Sequence, residues 1–157
     1  MERVPLTPEG FKKMQEELDH LVKVARPENI KAIEEARAHG DLSENAEYHA
    51  AKERQSFIEG RINELQAKIS RADVIDASRV MNKDKIAFGA TVTVLDIDKD
   101  EESTYKLVGT EEADVKGGKI SIVSPIGKAL IGKKVGDEVT VNAPARKISY
   151  EVMDISY

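Results

Sequence analysis

Two carboxylates three positions apart, Asp41 and Glu44, stand in the stretch Gly40-Asp41-Leu42-Ser43-Glu44-Asn45-Ala46-Glu47-Tyr48, at the turn between two long segments of helical periodicity. Oxygen donors of this kind suit a hard divalent cation such as Mg²⁺, which commonly takes one or two protein carboxylates and completes its shell with water and substrate phosphates. Such a pair alone holds an ion weakly. It works best where another macromolecule supplies the remaining ligands, as in a two-metal site where one ion activates water and both stabilise the oxygens of an in-line displacement. A structural reading competes. Asp-x-x-Glu is close to a capping box, with Asp41 accepting from the Glu44 backbone N–H and Glu44 reaching back.

The neighbours bear on that choice. Tyr48 is an aromatic ring beside acids at an exposed tip, where it has no core to join. Arg37, Lys52 and Arg54 fall near the tip, placed either to steer a phosphate chain or to serve as ordinary solvated helix charges. His20, His39 and His49 show no metal-ligand spacing. No nucleophile–base pair or phosphate-cradling glycine loop is visible, and Gly127 and Gly132 do not form one.

Holding such acids out from a core requires long elements. From Thr7 to about Ala38, the residues Phe11, Met14, Leu18, Leu21 and Ala25 recur at the seam spacing of a coiled coil. Thr7-Pro8-Glu9 reads as a helix start, with a hydroxyl cap, proline at the first helical position and an acid in the first turn. Pro27 lacks an N–H and disfavours a helical Arg26, which predicts a kink or short break before Ile30, Ile33 and Ala36 resume. His39-Gly40 ends this arm. A second arm is predicted from Leu42 or Ser43 to Ala72, with Ile58, Ile62, Leu65, Ile69 and Ala72 as its stripe. Neither arm is stable alone in water, so the short connection folds them into an antiparallel hairpin. About 30 residues per arm would give a rod of roughly 45 Å. Towards the tip the seam is expected to turn small, at Ala32, Ala36, Ala46 and Ala50.

Beyond Asp73-Val74-Ile75-Asp76 and a polar link, Met81-Asn82-Lys83-Asp84, the period changes to two. Val92 and Val94, Tyr105 and Leu107, Ile120 and Ile122, Val139 and Val141, and Ile148, Tyr150 and Val152 predict strands. Residues 96–102 and 115–119 read as hairpin connections, the second carrying Gly117 and Gly118. Ser124-Pro125-Ile126-Gly127-Lys128-Ala129-Leu130 predicts one short helix. The expected fold is therefore α+β: an antiparallel coiled-coil hairpin over 1–77, then a small antiparallel β domain over 78–157.

Composition narrows the function classes. The chain has 157 residues, 34% of them charged, a formal net charge of −5 and no cysteine. Disulfide and thiolate chemistry are excluded, in keeping with the cytoplasm. No apolar run approaches the roughly 20 residues that cross a bilayer, so no membrane partner is expected. The negative balance argues against tight binding of duplex nucleic acid by bulk electrostatics, leaving only local contacts.

The tip motif, together with Phe88-Gly89-Ala90-Thr91-Val92 and Ser124-Pro125-Ile126-Gly127-Lys128-Ala129-Leu130-Ile131-Gly132, resembles the bacterial Gre transcript cleavage factors, most closely the GreA branch. That resemblance implies an FKBP-like β domain docking on RNA polymerase at the mouth of its secondary channel, and a hairpin reaching through the channel to the active site. It implies that Asp41 and Glu44 are the catalytic ligands of a loosely held second Mg²⁺, which activates the water that cuts backtracked RNA. Ser43, Asn45, Glu47 and Tyr48 match supporting tip positions. Arg37 and Lys52 match a small basic patch at the RNA 3′ end, sparse enough to favour short cleavage products. The docking surface is expected around Ser124, Pro125 and Ile126. The protein is expected to be a monomer with no nuclease activity of its own, the polymerase being the enzyme.

Two other classes compete. A hairpin protein of similar shape that enters the same channel and inhibits the polymerase would look alike, but the pair Asp41 and Glu44 argues against it. A prolyl isomerase is suggested by Ile131-Gly132-Lys133-Lys134-Val135-Gly136-Asp137-Glu138-Val139. Such enzymes use an aromatic pocket, and the chain has no tryptophan and three phenylalanines.

Overall fold

A computed structural model describes residues 2–42, 44–79 and 82–157. Its elements run β1 (Val4–Leu6), α1 (Pro8–His20), a π-helical turn (Leu21–Ala25), α2 (Arg26–Arg37), α3 (Ala46–Arg71), β2 (Ala72–Val74), β3 (Thr91–Asp96), β4 (Glu101–Val108), β5 (Lys119–Ser121), α4 (Pro125–Leu130), β6 (Glu138–Asn142) and β7 (Lys147–Ser156). The chain forms two compact units. One is built on Phe11–Ala72, and the other joins Arg3–Gly10 to Asp73–Tyr157. The fold is α+β, a helical hairpin and a β-sheet domain. Among the described residues no helix is long and apolar enough to cross a membrane. The Met81 end of the polar link lies outside the described residues.

In the helical unit, α3 lies against the π-turn and α2 as the second arm of a hairpin. Ile58, Ile62 and Leu65 are fully shielded on α3, as their spacing predicted, and Ala25, Ile33 and Ala36 on the first arm are buried too. Bidentate ion pairs cross between the arms. Arg26 donates to both Glu59 oxygens at 2.8 Å, and Arg61 donates to Glu17 at 2.5 and 2.9 Å.

Pro27 does not break the first arm. Arg26 is helical (φ −61°, ψ −51°), and its N–H reaches back five residues to the Leu21 carbonyl. The widened turn accommodates a residue that has no N–H and whose ring would otherwise press on the carbonyl four residues back, so the helix continues through it. The seam after the turn also differs from expectation. Asn29 is 3% exposed whereas Ile30 is 46% exposed, so the polar residue, not the aliphatic one, faces inward. The small-residue tip is likewise narrower than predicted: Ala36 and Ala51 are buried, while Ala32, Ala46 and Ala50 face solvent.

The crossing ion pairs make hairpin stability sensitive to acid. Arginine hydrogen bonds hold the Glu17 and Glu59 carboxyls below the usual glutamate range, and Glu64 is lowered by Lys68 and Arg61. A carboxyl whose pKa is depressed on folding contributes stability above its unfolded pKa and loses it as pH falls through the folded one. Circular dichroism at 222 nm should therefore show the helical melting temperature falling as pH drops below the ordinary glutamate range. A profile flat through that range would show the pairs contribute nothing measurable.

In the second unit, five strands form one sheet in the order β5-β4-β3-β7-β6. β3 pairs antiparallel with β4 and β7, with an irregularity between Thr93 and Val94, and β6 pairs antiparallel with β7. Inward residues alternate along β3, where Val92 and Val94 are fully buried, and join Leu107, Leu130 and Val152 in the core. One expectation fails at β5, which runs parallel to β4. A tight turn does form, with Asp114 and Lys119 exchanging backbone bonds at 2.8 and 2.9 Å and Gly118 at φ +76°. That turn closes on a preceding single residue instead of on β4, so the segment is no β4–β5 hairpin.

Arg3–Gly10, ahead of the hairpin, belong to this unit. Thr7 caps α1 as expected, its hydroxyl accepting from the Gly10 N–H at 3.0 Å. The same hydroxyl donates to the Glu112 carboxylate, which also accepts from the Thr7 N–H at 3.0 Å and the Gly109 N–H at 3.3 Å.

α4 is set by its cap. The Ser124 hydroxyl accepts from the Gly127 N–H at 3.1 Å and donates to the Ser121 carbonyl at 2.6 Å, with Pro125 at the helix start. A Cβ on Gly127 would lie 2.2 Å from that Ser121 carbonyl oxygen. Gly127→Ala should therefore lift α4 from the sheet and cost about 1–3 kcal/mol. Urea unfolding of the variant checks this, and an unchanged midpoint would mean that the loop yields freely.

Candidate functional site

The tip connects the last turn of α2 to the first turn of α3. α2 ends at Arg37, and Gly40 turns the chain with φ +114°, a backbone region that disfavours side chains. α3 starts at Ala46, several residues later than periodicity suggested, and its N-cap is Asn45. Asn45 Oδ1 accepts from the Tyr48 N–H at 3.0 Å, and Asn45 Nδ2 donates to the Ala36 carbonyl at 2.6 Å. The N-cap of α3 is therefore Asn45 and not Asp41. A third cap-competent residue, four positions further along the chain, takes the role that Asp41 was assigned.

Asp41 and Glu44 are both exposed, and both border one open depression with His39, Asn45, Ala46 and Glu47. Glu47 is exposed in the first turn of α3, where a negative charge is favoured by the helix N-terminus. Tyr48 is half-buried, its ring edge-on to His49 at a centroid distance of 5.7 Å. So the tyrosine has a neighbour after all, supplied by the next residue. Ser43 lies outside the described residues.

Of the basic residues, Arg37 is exposed in the last turn of α2, favourable for the helix C-terminus. Lys52 and Arg54 are exposed on α3, and Lys52 Nζ donates to Gln55 at 2.9 Å. Ser124, Pro125 and Ile126 are on the other unit, at the start of α4. They border an apolar hollow of about 370 Å³ that also includes Tyr105, Val115 and Ile120. Val115 is 75% exposed there.

Residues 4–74 match the family described as "Transcription elongation factor, N-terminal", and residues 81–157 match "Transcription elongation factor, GreA/GreB, C-term". The chain belongs to the GreA/GreB transcription elongation factor family. Among relatives named transcription elongation factor GreA, that of Thermodesulfovibrio yellowstonii is 65% identical over 156 residues, covering 99% of this chain and 98% of that protein. That of Hyphomonas neptunium is 61% identical over 157 residues, covering 100% and 99%. A solved structure, the GreA factor homolog 1 (Gfh1) protein of Thermus thermophilus, is 29% identical, with 99% of each chain covered and a TM-score of 0.44.

Sequence reasoning missed what Asn45 does. The signal was present, since asparagine is among the strongest N-caps. Asp41, Ser43 and Asn45 are all competent caps, however, and pattern alone does not choose among them.

Proposed function

We propose that this elongation factor binds RNA polymerase and stimulates the polymerase's own hydrolytic cleavage of backtracked RNA, acting as a monomer with no nuclease activity of its own. Its β unit docks at the rim of the secondary channel through the apolar surface around Ser124, Pro125 and Ile126. The hairpin passes through the channel and presents its acidic tip at the active site.

One observation carries the reading: Asp41 and Glu44 are both exposed on the same tip depression, and the helix cap beside them is supplied by Asn45. Their chemistry fits Mg²⁺, which prefers hard oxygen donors. Two carboxylates fall well short of its octahedral shell, so the polymerase, the RNA phosphate and water would supply the rest. The bound ion supplies a more acidic attacking water and charge neutralisation on the phosphate. The chain's own residues have simpler tasks. Asp41 and Glu44 lend negative oxygens, Arg37 and Lys52 attract the RNA 3′ end, and the long paired helices carry all four to the reaction.

The test is a stalled, backtracked elongation complex given purified protein and Mg²⁺. The expected result is a faster appearance of shortened transcripts, with none when RNA and the factor are mixed without polymerase. Backtracked RNA that stays intact at saturating factor would reject the reading.

A further inference from the structure

We infer that Asn45 is the positioning residue of the acidic tip, and that both ends of its amide are required. The inference rests on the proposed role of Asp41 and Glu44. Oδ1 faces a group that can only donate, the Tyr48 N–H, and Nδ2 faces a group that can only accept, the Ala36 carbonyl. Reversing the amide would set donor against donor and acceptor against acceptor, so the orientation is fixed. The Ala36 carbonyl also accepts from the His39 N–H at 3.1 Å, so both of its lone pairs are engaged.

The two bonds do different things. The Oδ1 contact caps α3, a task that serine or aspartate performs about as well. The Nδ2 contact ties the start of α3 to the end of α2 across nine positions, closing the loop that holds Asp41 and Glu44. A closed loop samples fewer conformations than an open one. Two oxygens that must meet one small cation together gain from that restriction, because ordering them costs less at the moment of binding. Among side chains of this size, asparagine alone supplies both an acceptor and an N–H donor at this length.

Asn45→Ser separates the two contacts, keeping the cap and removing the tie. It should raise the Mg²⁺ concentration giving half-maximal stimulated cleavage by about 2- to 10-fold, the factor that one net hydrogen bond provides. The helical melting temperature should fall by no more than the loss of that one bond accounts for, and competition with unmodified protein for polymerase should stay the same. Asn45→Thr should behave like Asn45→Ser, since it too keeps a capping oxygen and loses the N–H donor without changing the charge. Wild-type Mg²⁺ dependence in both variants would overturn the inference, and so would an equal loss in polymerase competition. Should the unmodified protein leave the Mg²⁺ dependence of cleavage untouched, the reading of the tip itself falls. Backbone ¹⁵N order parameters at Asp41 and Glu44 then decide the tie alone: a fall in Asn45→Ser supports it, and unchanged values refute it.

Discussion

Asp41→Asn combined with Glu44→Gln is expected to lower the stimulated cleavage rate by roughly 10²- to 10³-fold, the range seen when preorganised charge is removed from a transition state. Both replacements keep size and hydrogen-bonding capacity while removing the negative charge. Neither residue is the cap of α3, which is Asn45, so the hairpin should remain folded. Each lost charge beside the helix N-terminus costs about 0.3–1 kcal/mol at an exposed site. The double variant should therefore still compete with unmodified protein for the polymerase. Cleavage assays on backtracked complexes, run beside a competition assay, separate chemistry from docking. Near-normal cleavage by the double variant would remove the acids from the mechanism.

Ile62→Ala is expected to destabilise the hairpin by about 2–5 kcal/mol, the cost of deleting a large buried aliphatic group and leaving a cavity. Ile62 is 2% exposed and packs with Ala25 and Ile58, so no solvent-facing repacking relieves the loss. The β unit has its own core around Val92, Leu107 and Val152 and should be unaffected. Thermal unfolding should accordingly lose helical signal at a lower temperature while the β signal melts where it did before. Coincident shifts of both signals would mean that the two units unfold as one.

The hairpin was legible because its stripe is strict. Ile58, Ile62 and Leu65 sit at steps of four and three, and all three are buried. Alternation gave the strands equally well, with Val92, Val94, Val139 and Val141 all inward. The misreadings have physical causes. Pro27 announces a kink or short break by its local chemistry, and the chain answers with a five-residue π turn just before it and no break in the helix. Gly117-Gly118 marks a turn correctly and says nothing about which strand the chain joins afterwards, hence the parallel β5. At the tip, residue types announced oxygen chemistry, yet which of three cap-competent side chains starts α3 depends on where the Ala36 carbonyl lies in space. The bonds joining Thr7 to Glu112 link positions 105 apart and leave no trace in any local pattern.

Whether the factor's acids share a cation with the polymerase, as proposed, is tested most directly by a Mg²⁺ titration of cleavage in backtracked complexes. The predicted result is that unmodified protein lowers the Mg²⁺ concentration needed for half-maximal cleavage, and that the Asp41→Asn, Glu44→Gln protein does not. A Mg²⁺ requirement that is the same with either protein, and the same as for the polymerase alone, would contradict it.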